Sequence, residues 1–505
     1  MTAYTETRTK IVATLGPASQ SPEVLDELLL AGTDVVRLNL SHGSLDEHLG
    51  HLRDVRASAE RTGRVCAVLA DLPGPKVRSG AFPHGGCELV GGAIVQLTPA
   101  EGASTGELIT VDYPTLLDDL QPGDRVVLGD GAISLRVDAV DAERATCQVL
   151  TGGFVQGRPG VHLPSERLRL TTPTEEDLRL GAAMAEAGVD FLAVSFVRAA
   201  HDLRVVREAI LPHTTRLVAK IETMPAVQAL EEITAEADAV MVARGDLGIE
   251  CPLEDVPHLQ KRIIRHCVEV GVPVITATQM MESMITSPSP TRAEVSDIAN
   301  AVFDGTDALM LSAETAVGLD PPAVVRTMNR IAARAEREAS YAQWASRLGR
   351  IQRDQWPDGP DRITMAITHA AGMAAVDAGA TAILCCTRTG RTARAMARFR
   401  PVPLLIGLSP DPVTVRTMAL SWGVRSLEVG TYHSTDELVW YAVERAVQAG
   451  LIGSGDTVLV LAGAPDRPSG ASTDVLRIVR VARRATRRAT PHRSTPKKQE
   501  IRNTH

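Results

Sequence analysis

Two stretches of this chain, Leu217-Val218-Ala219-Lys220-Ile221-Glu222 and Val240-Met241-Val242-Ala243-Arg244-Gly245-Asp246, run apolar and then place two charges two residues apart. A strand turns successive side chains to opposite faces, so the spacing predicts that Lys220 and Glu222 share a face, as do Arg244 and Asp246. Two hard carboxylates suit Mg²⁺, which takes one or two protein carboxylates and leaves its other positions to water and phosphate. A lysine beside such a metal reads as phosphoryl transfer. The bland alternative for Lys220 and Glu222 is a structural ion pair.

These residues need a frame. Short apolar runs, each followed by a helix-like stretch, recur at Lys10 to Leu15, Asp34 to Leu40, Val65 to Ala70, Phe191 to Phe196, Leu217 to Ile221, Ala239 to Ala243, Val272 to Ala277 and Ala308 to Leu311. Eight such alternations predict an α/β chain built on a (β/α)₈, or TIM, barrel, whose active site lies at the C-terminal ends of the strands. Those ends carry Thr14, then Arg37, Asn39 and Ser41, then Asp71, Ser195, Lys220 and Glu222, Arg244 and Asp246, Thr278, and finally Ser312 and Glu314.

The third and fourth runs are too far apart for one crossover. Between them the chain turns to Gly, Asp and Pro around β-type runs, which predicts an inserted all-β lid, a β-barrel domain over 76–167, between barrel parts at 1–75 and 168–340. A lid there would close over substrate. From 341 to 482 the pattern is that of an open α/β regulatory domain. Its turn Thr387-Arg388-Thr389-Gly390-Arg391-Thr392 offers hydroxyls, backbone N–H groups and two arginines to a phosphate, against the alternative of an ordinary capped loop. Residues 483–505 read as a basic disordered tail, with Glu500 its only acid.

Bulk properties set the class. At 505 residues the chain has material for roughly three domains. Aromatic residues make up only 3% and interleave with no basic patch, which argues against nucleic acid as a ligand. The start of the chain has no apolar leader segment and no long apolar run follows, so a cytoplasmic protein without membrane partners is expected. Seven scattered cysteines, with no CxxC pair, fit a reduced compartment without disulfides or structural zinc.

Six motifs in order now carry a resemblance: Lys10 to Pro17 (KIVATLGP), Arg37 to Gly43 (RLNLSHG), Lys220-Ile221-Glu222, Val242 to Gly248 (VARGDLG), Ala277-Thr278-Gln279-Met280 and Thr291-Arg292-Ala293-Glu294. From Thr9 to about Val481 the chain resembles the pyruvate kinases. The resemblance implies the last step of glycolysis, in which the phosphoryl group of phosphoenolpyruvate passes to ADP to give ATP and pyruvate. It also implies a homotetramer and an allosteric C-terminal domain. Glu222 and Asp246 would hold Mg²⁺ or Mn²⁺. Lys220 would meet charge in the transition state, Arg37 would bind phosphate, and Gly245 and Thr278 would meet the substrate carboxylate, with Thr278 also in the relay that protonates the enolate. Lys220, Arg37, Thr278 and Lys76 are thus the expected catalytic set; Asn39, His42 and Arg78 are expected to contact nucleotide. Ser312 and Glu314 are expected to support the site from behind.

Departures from the family pattern matter as much. Many relatives bind K⁺ through residues matching Asn39, Ser41, Asp71 and the backbone after that aspartate, with a glutamate in the following loop. Here the sequence is Asp71-Leu72-Pro73-Gly74-Pro75-Lys76, so a threonine is replaced by Leu72 and the glutamate by Lys76. A built-in ammonium substitutes for a bound cation. The chain is therefore similar to K⁺-independent bacterial members, and K⁺ is not expected to be required. Pro159 stands where relatives often have a nucleotide-contacting lysine, with Arg158 beside it as the substitute. The turn at Thr387 to Thr392 matches the family's effector phosphate loop, while Ala464 to Thr473 lacks the tryptophan associated with fructose bisphosphate; a sugar phosphate or nucleotide effector is implied. Two other classes compete: a phosphoenolpyruvate or pyruvate lyase on the same barrel, distinguished by its indifference to nucleotide, and a non-catalytic sugar-phosphate-binding regulator, which would have no need of Lys220, Glu222 and Asp246.

Overall fold

The computed structural model describes residues 7–482 apart from 130, 132, 164–170, 342, 343, 345–347, 349–359, 433 and 464–472. The expected basic tail, the domain boundary at 167 and 168, and most of the stretch from Ala464 to Thr473 lie outside the described residues.

Eight parallel strands close into a barrel: β1 (Lys10–Thr14), β2 (Val35–Asn39), β3 (Ala67–Asp71), β4 (Phe191–Val194), β5 (Arg216–Ile221), β6 (Ala239–Ala243), β7 (Val274–Ala277) and β8 (Ala308–Leu311). Each expected run overlaps one of them; β3 runs one residue further, to Asp71, and β5 starts one residue earlier, at Arg216. Strands covered on both faces must be apolar nearly throughout. Val12, Val218, Met241, Ile275 and Met310 fill the barrel, while Ile11, Val68, Leu217, Val240 and Leu309 pack outward against the helices. The helices start and stop on local signals. Ser44 and Glu47 form a reciprocal capping box before Leu45–Thr62, which ends at Gly63 with φ 66°, a left-handed conformation that glycine adopts without strain. Thr291 and Glu294, inside one of the family-like motifs, form the same box before Arg292–Asp304.

An unexpected fourfold device ties the strands together at the N-terminal floor of the barrel. Asp34, Asp190, Asp238 and Asp307 immediately precede β2, β4, β6 and β8 or stand one residue before them. The N–H of each donates to the carbonyl of a residue in the preceding odd strand: Ile11, Val68, Leu217 and Val274 respectively. Its carboxylate accepts the N–H of that same residue at 2.8 to 3.0 Å. Each carboxylate also meets a cation that touches the C-terminal domain. Lys10 Nζ, 3.2 Å from Asp34, also donates to the Val424 carbonyl. Arg416 and Arg400, both from the C-terminal domain, pair with Asp190 and Asp307 at 2.8 and 2.9 Å. Arg216 pairs with Asp238 at 2.9 Å and reaches the Thr389 carbonyl at 3.3 Å.

The insert expected as a β-barrel is, over the described residues, a six-stranded sheet and a separate two-stranded ribbon of Cys87–Leu89 with Gly153–Val155. It carries its own core around Leu97, Ile109, Leu135 and Val149, and one short helix, Leu116–Asp119. The C-terminal domain is an open sheet of β9 (Ala382–Cys386), β10 (Leu404–Ser409), β11 (Val424–Glu428), β12 (Thr457–Ala462) and β13 (Val475–Arg480), ordered β11-β10-β9-β12-β13, with β13 alone antiparallel. One face packs on Thr435–Gln448; the other, through Ile383, Cys385, Leu459 and Leu461, joins the core that surrounds the barrel. Among the described residues no helix is long and apolar enough to cross a membrane. All seven cysteines are free thiols.

Candidate active site

β5 delivers Lys220 to the C-terminal rim, and Glu222 follows one residue past its end. Lys220 Nζ lies 2.8 Å from Glu222 Oε1 and 3.2 Å from Asp71 Oδ1, and donates to Ser195 Oγ at 2.7 Å. Arg37, from β2, places Nε and Nη2 each 2.7 Å from Asp71 Oδ2, and its Nη1 donates to Thr14 Oγ1 at 3.1 Å. Arg37 of β2, Lys220 of β5 and Ser195 just past β4 thus converge on one buried aspartate at the end of β3, only 1% exposed.

Burial and charge compete at each of these groups. Burial would raise the Asp71 carboxyl, but Lys220 and Arg37 outweigh it and hold its pKa below the usual range. Burial opposes the Lys220 charge, yet Asp71, Glu222 and Asp246 hold its pKa above that of ordinary lysine. Glu222 goes the other way. It is 1% exposed, and burial raises its pKa; Lys220 pulls down, while the neighbouring Asp246 carboxylate pushes further up.

The Glu222 and Asp246 pair is short of positive charge. Glu222 spends Oε1 on Lys220 and accepts the Phe196 N–H with Oε2 at 2.7 Å, whereas Asp246 has no side-chain hydrogen bond among the described residues. A hard divalent cation matches such a donor set, and no group of three or more acidic, His or Cys ligands occurs among the described residues. The donor Phe196 sits at φ 54°, a costly conformation for a bulky residue and one that aims its N–H at Glu222. Gly74 makes room for that turn: a Cβ there would lie 2.7 Å from the Phe196 ring and 2.8 Å from Ser195 Cβ.

Arg244 corrects one expectation. β6 ends at Ala243, and Arg244–Glu250 is helical, so Arg244 and Asp246 do not share a strand face. Arg244 points away from the acids, to Asp297 at 2.7 Å and to the carbonyls of Ala277 and Thr278 at 3.1 and 2.5 Å. It clamps a strained turn: Thr278 and Gln279 have φ of 67° and 53°. Thr278 Oγ1 donates to the Ala277 carbonyl at 2.7 Å and accepts the Gly245 N–H at 2.9 Å, so these two expected substrate contacts touch each other.

The expected monovalent-ion ligands are brought together and spent on the protein. Lys76 Nζ donates to Ser41 Oγ at 2.7 Å, the Ser41 N–H to Asn39 Oδ1 at 3.3 Å, and Ser195 Oγ to the Leu72 carbonyl at 2.7 Å. Partial desolvation and repulsion from Lys220 lower the Lys76 pKa. His42 is exposed on the same edge; desolvation and the charges of Lys76, Arg78 and Arg37 lower its pKa. Arg78 Nη1 donates to the Arg158 carbonyl at 3.2 Å, and Arg158 itself lies 3.4 Å from Asp112. Behind the rim, Glu314 accepts the N–H groups of Ser312 and Met281 at 2.7 and 3.1 Å.

Far from the rim, the turn from Thr387 to Thr392 joins β9 to the helix Arg391–Ala397. Gly390 takes φ 78°, Thr414 Oγ1 donates to the Arg388 carbonyl at 2.9 Å, and the Thr392 and Thr473 hydroxyls are 2.7 Å apart. Sequence reading singled out none of the roles of Ser195, Phe196 or Arg244. Ser195 had a signal, a polar residue ending an apolar run.

Comparison with known proteins places the fold in a family. Residues 6–325 match the family model for the pyruvate kinase barrel domain, and residues 365–479 match that for the pyruvate kinase alpha/beta domain. A pyruvate kinase of Geobacillus stearothermophilus is 41% identical over 476 residues, spanning 93% of this chain and 80% of that protein. One from Staphylococcus aureus (strain MRSA252) is 39% identical over 478 residues, with the same shares. The barrel and the C-terminal domain thus each match a known family model, and the chain is a member of the pyruvate kinase family.

Proposed function

We propose that this chain transfers the phosphoryl group of phosphoenolpyruvate to ADP through Lys220, Arg37, Thr278 and Lys76, in the last step of glycolysis. The bond from phosphorus to the enol oxygen breaks, a bond to a terminal oxygen of ADP forms, and the enolate takes up a proton to become pyruvate. The observation that carries the reading is the Lys220 ammonium held between Asp71 and Glu222 on the rim. Its raised pKa keeps it charged, ready to meet negative charge on the phosphoryl oxygens and the enolate oxygen.

Arg37 presents a guanidinium fork oriented by Asp71 and suited to phosphate. Glu222 and Asp246 would hold Mg²⁺ or Mn²⁺, which when bound supplies a Lewis acid and a template for the phosphoryl oxygens. The Gly245 N–H and the Thr278 hydroxyl would turn from each other to the substrate carboxylate, and the Thr278 hydroxyl would relay a proton towards the enolate. Asn39, His42 and Arg78 line the edge assigned to nucleotide. The turn from Thr387 to Thr392 would take the phosphate of a sugar phosphate or nucleotide effector, within a homotetramer.

Independence from K⁺ is part of the proposal. Lys76 occupies Ser41, and the Asp71 oxygens and the Leu72 carbonyl already have donors, which leaves little for a monovalent ion to bind. A coupled assay of pyruvate formation tests both points. Turnover should require ADP and Mg²⁺ or Mn²⁺, and change less than about twofold, under 1 kcal/mol in barrier, when tetramethylammonium replaces K⁺. Pyruvate released without ADP would favour a lyase, and no turnover would favour a regulator.

A further inference from the structure

Beneath the barrel, between its floor and the C-terminal domain, lies a small pocket lined by Cys267, Gly271, Asp307, Arg394, Arg398 and Arg400, among others. Three arginines face one acid there, and that acid is spent: Asp307 takes Arg400 Nη1 at 2.9 Å on Oδ1 and the Val274 N–H at 3.0 Å on Oδ2. Arg398 and Arg400 are 4% and 2% exposed. Arg398 Nε and Nη2 and Arg400 Nε are nevertheless buried without a hydrogen-bond partner among the described residues.

Three orphan N–H groups on two buried guanidiniums are a costly arrangement. Among the described residues no acid offsets the Arg398 charge; burial lowers its pKa, to about 10. The Phe399 ring, 5.1 Å below its guanidinium carbon, offers one face but no acceptor. A water could accept from these donors, yet its own protons would then point among cations. An anion satisfies the donors and the charge together. The centre of a water-sized particle has only about 10 Å³ in which to sit, the room of one small ion or water.

We propose that this pocket binds one monatomic anion of the halide class, chloride in physiological media, held by Arg398 and Arg400 between the two domains. Binding to the folded state alone stabilises it by mass action. The ion would sit where the C-terminal domain's Arg398 and Arg400 face Cys267, Gly271 and Asp307 of the barrel domain.

The test compares thermal unfolding in chloride and in gluconate, too large for the pocket, at equal ionic strength. The wild type should melt roughly 2 °C or more higher in chloride, and Arg398→Leu should lose that difference. A bromide-soaked crystal of the wild type should show an anomalous peak between Arg398 and Arg400, a readout that stands even if the variant fails to fold. Equal melting temperatures in the two salts, a difference that survives in Arg398→Leu, or a pocket without bromide would each overturn the proposal.

Discussion

The two ends of the barrel use acids in opposite ways. On the floor, Asp34, Asp190, Asp238 and Asp307 each accept a strand N–H and face a cation, so their charges are matched. On the rim, Glu222 is buried with a raised pKa and Asp246 has no side-chain hydrogen bond among the described residues. Matched charges hold a structure; unmatched ones await a ligand. Both ends belong to the same strands. β5 carries Arg216 at its floor end and Lys220 near its rim end, four residues apart.

The sharpest way to break this contrast is Lys220→Met. Turnover should fall on the order of 10²- to 10³-fold or more, as when a preorganised charge is removed from a transition state. Full turnover in the coupled assay would end the assignment. A smaller effect is expected of Lys76→Glu, which turns a matched corner of the rim into an unmatched one. Without K⁺ its turnover should drop roughly tenfold, about 1.4 kcal/mol in barrier, and added K⁺ should restore it. Indifference to K⁺ in that variant would remove Lys76 from the explanation.

The floor predicts the smallest effect on rate and a clear effect on stability. Asp238→Asn should cost about 1–3 kcal/mol of folding stability while turnover changes less than about threefold. Burial raises the Asp238 carboxyl, but Arg216, the Leu217 N–H and Arg207 outweigh it and hold its pKa below the ordinary value. A depressed folded pKa contributes stability that is complete above the unfolded carboxylate range and disappears as pH falls through the folded value. The wild type should therefore lose stability more steeply in acid than Asp238→Asn, as read by urea unfolding at a series of pH values. Parallel curves would show that the Asp238 charge is not linked to folding.

The contrast also marks what could be read from the chain. The barrel strands were legible because each is an apolar run buried on both faces, and Lys220 with Glu222 because the strand reaches almost to the second charge. Arg244 defeated the same rule: alternation of faces holds only within a strand, and the helix that begins at Arg244 sends it to Asp297 instead. Val475–Arg480, with an arginine at every third position, has neither the strict alternation nor the unbroken apolar run that marks a strand. The floor aspartates had a signal, one acid just before every second strand. The strand N–H groups they accept lie 21 to 122 residues away, and such pairings are invisible to local pattern.

Those separations set an order of assembly. Asp238, Asp34 and Asp307 close loops of 21, 23 and 33 residues, each one odd strand, its helix and the next even strand. Asp190 must reach Val68 across 122 residues, because the lid is spliced into that single repeat. Against a loop of 23 residues the added closure entropy is about 1.5 kcal/mol. Arg56 spans the same splice, bonded to the Cys66 and Gly188 carbonyls on either side and to Asp190 itself. The barrel thus contains three short closures and one long one. The inserted sheet enters the chain at that splice, where its folding weighs on closure of the whole barrel.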